Sequence, residues 1–327
     1  MKTTDTASVT TRVKSLVLRA GCHLVGITSA EPFERYPLRN LARFDPRRTL
    51  PGARAVVVGA KCYLEELGPA RDGQNLGIIS RAYATGNELT LVEEFEPAVR
   101  FLRGLGFAAL VSPEHDAECT IPLKVAAARA GLGTIGKHSL LTTSRFGSWV
   151  TLGGFITDAP LVADSGRDWS ICGRCERCLS VCPTAAMSAP YVIDRSRCLE
   201  QILAVPGAVP DRIKPCMGVR VLSCETCIQA CPHSMGAARR VRARGCRRRG
   251  FDLLELLAMT STAYAQFAQR LRCDVPYEAF LRNVVIALGN RRALASRNVL
   301  RWLTSHPDSG VRDAAAWSLE QLTAAHD

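Results

Sequence analysis

The chain has no uninterrupted apolar run of about 18 residues, so no segment reads as a helix able to span a bilayer. Residues 1–14 lack both an apolar stretch and a twin arginine, which disfavours secretory and Tat export and makes the cytoplasm the expected compartment. No acidic residue occurs between Glu225 and Asp252, and Arg239, Arg240, Arg242, Arg244, Arg247, Arg248 and Arg249 fall in that gap. These seven arginines account for most of a net charge of +12 and suit a polyanionic partner; a solvated surface helix is the plainer reading. The Gly-rich stretch from Gly131 to Gly136 does not follow a strand directly, so it lacks the context of a dinucleotide-binding turn and NAD is not expected.

What is abundant is cysteine. With 327 residues the chain is long enough for two or three domains, and 47% hydrophobic against 22% charged residues is an ordinary globular balance. Fourteen cysteines in a chain of this length without an export signal point to metal ligation and away from a disulfide framework. Cys172, Cys175, Cys178 and Cys182, followed by Pro183, form the C-x2-C-x2-C-x3-C-P run of bacterial [4Fe–4S] proteins. In that arrangement three thiolates converge on one cluster and the fourth ligates another.

Cys224, Cys227, Cys231 and Pro232 repeat the end of the run but lack its first thiol. Cys198 and Cys216 are the candidates for that place; Cys198 is preferred, with Cys216 as a buried thiol. The expected sets are Cys172, Cys175, Cys178 and Cys231 for one cluster, and Cys182, Cys198, Cys224 and Cys227 for the other. Zinc is the alternative occupant of C-x2-C pairs, but two Cys-Pro endings after three-residue gaps disfavour it. Cys22, Cys62, Cys119, Cys246 and Cys273 sit among small or apolar neighbours and are expected to be inert packing.

Apolar periodicity predicts helices over 9–19, 93–105 and 123–130 and strands over 23–28, 53–60, 108–111 and 149–157, an α/β (α+β) domain. Helices over 251–259, 264–271, 277–288, 294–303 and 311–322 follow, the third with a one-face apolar stripe, and resemble HEAT-type pairs. The expected domains are 1–165, a ferredoxin-like double-cluster domain over 166–250, and a helical region over 251–327. Glycines at Gly133, Gly136, Gly153 and Gly154 mark either close backbone approach to a ligand or turn chemistry alone.

Several stretches together carry a resemblance: Ala20-Gly21 to Gly26-Ile27, Leu50-Pro51-Gly52-Ala53-Arg54, and Ala128 to Gly133 with Ile135-Gly136-Lys137. Gly147-Ser148-Trp149, both Cys-Pro motifs, Leu281-Arg282-Asn283 and Ala287 to Asn290 complete it. The chain resembles the epoxyqueuosine reductase family almost end to end. That resemblance implies a cobalamin held in an N-terminal domain of reductive-dehalogenase-like type, next to the cluster of Cys182, Cys198, Cys224 and Cys227. It implies reduction of the epoxide of epoxyqueuosine in tRNA to queuosine, and a tRNA anticodon stem-loop as partner for the arginine run; the potential range of such clusters makes ferredoxin or flavodoxin the expected electron source.

The same resemblance places Tyr83, Lys137, His138, Gly153, Arg220 and Ser223 around the cofactor. The family's proton-donating aspartate falls on Ala117, flanked by Asp116 and Glu118, and Glu118 serves after a one-residue shift. Residues 81–90 lack the family's Asp-Tyr-His and keep Tyr83 and Glu88; Thr134 stands where the family has Trp, and His233-Ser234 replaces Trp-Asn after Pro232. These departures leave two alternatives, a paralogous cobalamin reductase of another electrophile and a non-enzymatic electron carrier or corrinoid-activating protein.

Overall fold

The computed structural model describes residues 5–33, 45–64, 75–85, 91–112, 121–166, 171–240 and 250–323. They form two compact units, each assembled from segments distant in sequence: Met1–Leu64, Leu89–Cys175 and Pro232–Arg240 in one, Glu65–Glu88, Glu176–Cys231 and Val241–Asp327 in the other. This division differs from three consecutive domains because short strands far apart in the chain pair with one another. Among the described residues no helix is long and apolar enough to cross a membrane.

The first unit is built on a four-stranded sheet in the order Leu24–Ser29, Ala55–Cys62, Val150–Thr157, Ala109–Ser112. Every pairing is antiparallel, so of the two expected forms the unit takes α+β. Strand side chains alternate between faces, and both faces are covered. Val56, Val58, Leu152 and Ile156 pack with Leu123 and Ala126–Ala127 of the Leu123–Arg129 helix. Ala55, Val57, Ile27 and Phe155 pack with Val13 and Val17 of the Thr6–Arg19 helix and Val99 and Leu102 of the Glu96–Gly104 helix. Asp5 caps the first of these helices by accepting from Ala7 N and Ser8 N, both at 3.2 Å, and Gly21 at φ 119° supplies its expected stop.

Gly59 and Gly153 face each other across the two central strands. A Cβ on Gly59 would lie 3.0 Å from Phe95 Cζ, and one on Gly153 would lie 2.8 Å from Phe95 Cε2 and 2.6 Å from Leu91 Cβ. The pair is a slot for the fully buried Phe95 ring, which also meets Phe155 edge-on at 5.9 Å. At Gly153, which the family resemblance places around the cofactor, the missing side chain makes room for core packing against Leu91 and Phe95.

In the second unit a three-stranded sheet runs Arg220–Leu222, Leu76–Ile79, Gly250–Asp252. Its third strand occupies the start of what periodicity assigned to a helix; Asp252 then caps the shortened Leu253–Leu257 helix through Leu254 N at 2.7 Å. The helical tail continues as Ser261–Leu271, Tyr277–Arg291, Arg297–Leu303 and Ser309–Thr323. Tyr277–Arg291 is not a one-face helix, since every residue from 279 to 289 is buried. Arg282 and Asn283 are among them, which is possible because both are saturated with hydrogen bonds.

The glycine slot makes a direct test. Gly153→Ala is expected to lower stability by about 1–3 kcal/mol through overpacking against Leu91 and Phe95. A urea titration should show the same loss with and without added corrinoid; a loss of corrinoid affinity at unchanged stability would return Gly153 to the cofactor.

Candidate functional site

Short helices and turns deliver the thiols of the second unit. Arg177–Ser180 carries Cys178, and Thr226–Ala230 carries Cys227 and ends on Cys231. Cys198 is the residue from which the Leu199–Ala204 helix starts. Cys198 and Cys227 each feel the charge of Cys224, and Cys227 also that of Cys198 and Cys178. Cys198 is thus within electrostatic range of Cys224 and Cys227, while among the described residues no three His, Cys, Asp or Glu side chains are set as a preformed metal site. Cys216 turns onto its own helical stretch, with Sγ 3.6 Å from Arg212 O, and is half-buried instead of fully buried as expected.

No disulfide joins any of the described cysteines. Burial first, then the neighbouring sulfurs, raises the pKa of Cys227; burial also raises that of Cys198. Cys182 differs: burial raises it, but bonds from Thr184, Ala186 and Met187 outweigh this and bring it down. Ala186 N donates to Cys182 Sγ at 3.3 Å, and in the first unit Lys137 N donates to Cys172 Sγ at 3.4 Å. Cys175 lies in the first unit as well, while Cys178 and Cys231 belong to the second. Cys22 and Cys62 are buried, and burial pushes Cys22 up to about 12, consistent with inert packing; Cys273 is half-buried. Cys119 and Cys246 lie outside the described residues.

Glu200 joins the Cys198 segment to the Cys224 segment. Its Oε2 accepts from Ser223 Oγ at 2.6 Å and from Cys224 N at 2.7 Å. Ser223 is held at φ 60°, a left-handed conformation that costs a non-glycine residue about 1 kcal/mol or more. Glu200 is solvent-accessible as a residue, yet the protein crowded around it raises its pKa against the bonds from Ser223 and Cys224. Arg220 donates from Nη1 to Met217 O at 3.1 Å and from Nη2 to Thr226 Oγ1 at 3.0 Å; that hydroxyl lies 3.4 Å from Cys224 Sγ. Tyr83 is buried in the Arg81–Ala84 turn, whose Ala82 N donates to the buried Glu225 Oε1 at 3.2 Å.

In the first unit the Thr134–Ile135 and Leu141–Thr142 strands form a small hairpin around Lys137 and His138. A Cβ on Gly133 would strike Thr142 O at 2.4 Å, and one on Gly136 would meet His138 Cε1 at 2.8 Å, so these glycines serve the hairpin itself. His138 is buried, with Nε2 3.3 Å from Ser148 Oγ and Nδ1 accepting from Leu140 N at 3.2 Å. With both nitrogens engaged inside the protein, it is a satisfied core histidine. The hydroxyls of Thr134 and Ser139 are closed off from solvent and have no hydrogen-bond partner among the described residues.

Gly147-Ser148-Trp149 clamps the helix that follows Cys231: Ser148 N donates to Ser234 Oγ at 3.1 Å and Trp149 Nε1 to Ser234 O at 3.0 Å. Gly147, at φ 59°, leaves room for Ser234 Cα, which a Cβ would approach to 2.5 Å.

Glu200, Glu225 and Ser234 carry contacts that sequence reasoning missed; the one available signal was a carboxylate two residues after a candidate ligand. Asp116, Glu118, Glu88, Arg242, Arg244, Arg247, Arg248 and Arg249 lie outside the described residues. Arg239 and Arg240 are exposed at the end of the Pro232–Arg240 helix, and Arg240 donates to Ser144 O at 2.8 Å.

Burial, then Lys124 and His233, brings the pKa of His138 down to about 4. A depressed histidine favours folding fully above the unfolded pKa of about 6.5, and that contribution is lost as pH falls toward 4. Between pH 7.5 and 5 the wild type should lose about 2 kcal/mol more than His138→Gln. Paired urea titrations at the two pH values measure it; equal losses would place the imidazole in solvent.

Residues 171–234 match the 4Fe-4S double cluster binding domain. The epoxyqueuosine reductase of Pseudomonas aeruginosa is 32% identical over 66% of this chain, but the match spans only 60% of that protein's length. The epoxyqueuosine reductase of Salmonella typhimurium is 30% identical over 87% of this chain and 77% of its own. A crystal structure of epoxyqueuosine reductase with an epoxyqueuosine-modified tRNA-Tyr stem loop shares the fold, with a TM-score of 0.81 at 21% identity over 96% of this chain and 90% of that one. With the Cys-Pro thiol pattern inside a fold shared nearly end to end and this identity to the Salmonella protein, the chain belongs to the epoxyqueuosine reductase family.

Proposed function

We propose that the protein is an iron–sulfur and cobalamin-dependent oxidoreductase that removes the epoxide oxygen of epoxyqueuosine in tRNA to give queuosine. The tie between the Cys198 and Cys224 segments, with Glu200 Oε2 accepting from Ser223 Oγ and Cys224 N, supports this reading, because it brings the segment of a distant thiol to the second Cys-Pro motif, which lacks one. One [4Fe–4S] cluster is assigned to Cys182, Cys198, Cys224 and Cys227, and the other, on spacing, to Cys172, Cys175, Cys178 and Cys231. The donor set fits: none of these cysteines is tied up in a disulfide, and amide N–H groups already donate to Cys172 and Cys182, as they do to cluster ligands.

For cobalamin the fitting observation is the pair of hydroxyls on Thr134 and Ser139, buried without partners among the described residues in the hairpin that carries Lys137. When bound, cobalamin supplies a cobalt centre that is a strong nucleophile once reduced. Lys137, Arg220, Ser223 and Tyr83 are the residues assigned to hold it, with Arg220 and Ser223 already oriented by Thr226 and Glu200. Loss of the epoxide oxygen as water consumes two electrons and two protons; ferredoxin or flavodoxin is the proposed electron source, and Glu118, or Asp116 beside it, the proposed proton donor. The arginines from Arg239 to Arg249 are assigned to the phosphates of the anticodon stem-loop, and the cytoplasm is the compartment this substrate requires.

Anaerobic reconstitution should give about eight iron per chain, Cys198→Ser about four, and Cys216→Ser the full complement. The loaded protein should retain a corrinoid and, with a reductant, convert an epoxyqueuosine-containing stem-loop; Glu118→Gln should abolish turnover while leaving both cofactors bound. Full iron with no corrinoid retained would make the chain an electron carrier. Charge reversal at Arg247, Arg248 and Arg249 should weaken stem-loop binding roughly tenfold or more and flatten its salt dependence; unchanged affinity would remove that partner surface.

A further inference from the structure

The Leu199–Ala204 helix leaves carbonyls at its C-terminal end that no following turn satisfies, since Val205 is already extended. Two buried side chains of the tail helix Tyr277–Arg291 take them. Arg282 donates from Nη2 to Ile202 O at 2.7 Å and from Nη1 to Val205 O at 2.8 Å and Gly207 O at 2.7 Å. Asn283 donates from Nδ2 to Leu203 O and to Val221 O, both at 2.9 Å. Its Oδ1 accepts from Arg282 Nε at 3.1 Å and Nη2 at 2.8 Å. All five guanidinium N–H groups and both amide N–H groups are thereby used.

This is an unusual place for a charge. Arg282 is 2% exposed, and burial lowers its pKa only to about 10, so it remains a cation at neutral pH. A guanidinium among helix C-terminal carbonyls is in a favourable field, but a methionine or leucine would fill the same volume without the desolvation cost. What an apolar residue would not do is fix the register of two segments at once. The carbonyls of Ile202 and Leu203 belong to the helix that begins at Cys198, and Val221 belongs to the strand that runs into Ser223 and Cys224. Asn290, seven residues on, extends the seam by donating to Lys214 O and Gly218 O at 2.9 Å each.

We infer that Arg282 and Asn283 are positioning residues for one iron–sulfur centre, holding the segments of Cys198 and Cys224 at the separation their cluster requires. The inference rests on the assignment of Cys182, Cys198, Cys224 and Cys227 to one cluster. The tail helix then acts on the centre through backbone carbonyls, without touching a ligand, and Glu200 closes the opposite end of the same frame through Ser223 and Cys224. Lysine at 282 keeps the charge but loses the planar fork, and alanine at 283 frees both carbonyls.

The test uses the full-length reconstituted protein, with iron content, the electron paramagnetic resonance spectrum of the reduced form, and midpoint potentials from dye-mediated titration. In Arg282→Lys and Asn283→Ala the expected result is a change confined to one centre, shifted in spectrum and potential or lost with iron falling from about eight toward about four, while the other centre keeps its signal. Leu300→Ala, a fully buried tail residue outside this seam, is the control; it should lower the urea midpoint with both centres unaltered. Two unchanged centres in the seam variants, or equal loss of both, would reduce Arg282 and Asn283 to ordinary core residues. A wild type that never binds about eight iron would overturn the cluster assignment and this inference together, whereas eight iron without corrinoid would overturn the proposed function and leave this inference standing.

Discussion

Thiols brought close together in a poorly solvated place resist ionisation, because burial and mutual repulsion both favour the protonated form. Cys198 and Cys227 are both raised by burial first; the charges of Glu200 and then Cys224 add to it at Cys198, and neighbouring sulfurs add to it at Cys227. Sulfurs cannot hold such an arrangement together by attraction, so other bonds must. In the second unit those bonds come from Glu200 at one end of the Leu199–Ala204 helix and from Arg282 and Asn283 at the other. Ser223 is kept in a left-handed conformation by the same carboxylate that receives Cys224 N. Polar groups that elsewhere would be a burial cost here supply direction, which apolar packing lacks.

The first unit solves a simpler problem by apolar means. Its antiparallel sheet is clad on both faces, and the cross-strand glycines Gly59 and Gly153 let Phe95 reach the sheet's backbone. The hairpin glycines Gly133 and Gly136 likewise yield space to Thr142 and His138. Small residues that read equally well as ligand approaches or as turns prove to be places where protein meets protein. The same holds for Gly147, whose missing side chain admits Ser234 and lets Ser148 and Trp149 grip the segment after Cys231.

Most regular elements were legible in the chain. The long helices and the four strands of the larger sheet fall within a few residues of where apolar period and turn residues put them, since those signals are local and strong. The three-stranded sheet was not legible: Leu76–Ile79, Arg220–Leu222 and Gly250–Asp252 are too short to show a period, and they exist as strands only because they pair. The Tyr277–Arg291 helix was misread in its environment. Arg282 and Asn283 interrupt the apolar pattern, and a polar residue in a helix reads as a solvent face until its partners are known.

By itself the sequence determined the chemistry at hand: the number of thiols, the two-residue and three-residue gaps between them, the Cys-Pro endings, and the acid-free run of arginines. These are properties of neighbouring residues, and backbone geometry over a single turn translates them directly into which sulfurs travel together. Only the tertiary structure decided that Glu200 binds the Cys224 amide, and that a helix some 80 residues downstream holds both the Cys198 and the Cys224 segments. Contacts across such separations leave no periodic trace, because they depend on which surfaces bury one another when the whole chain packs.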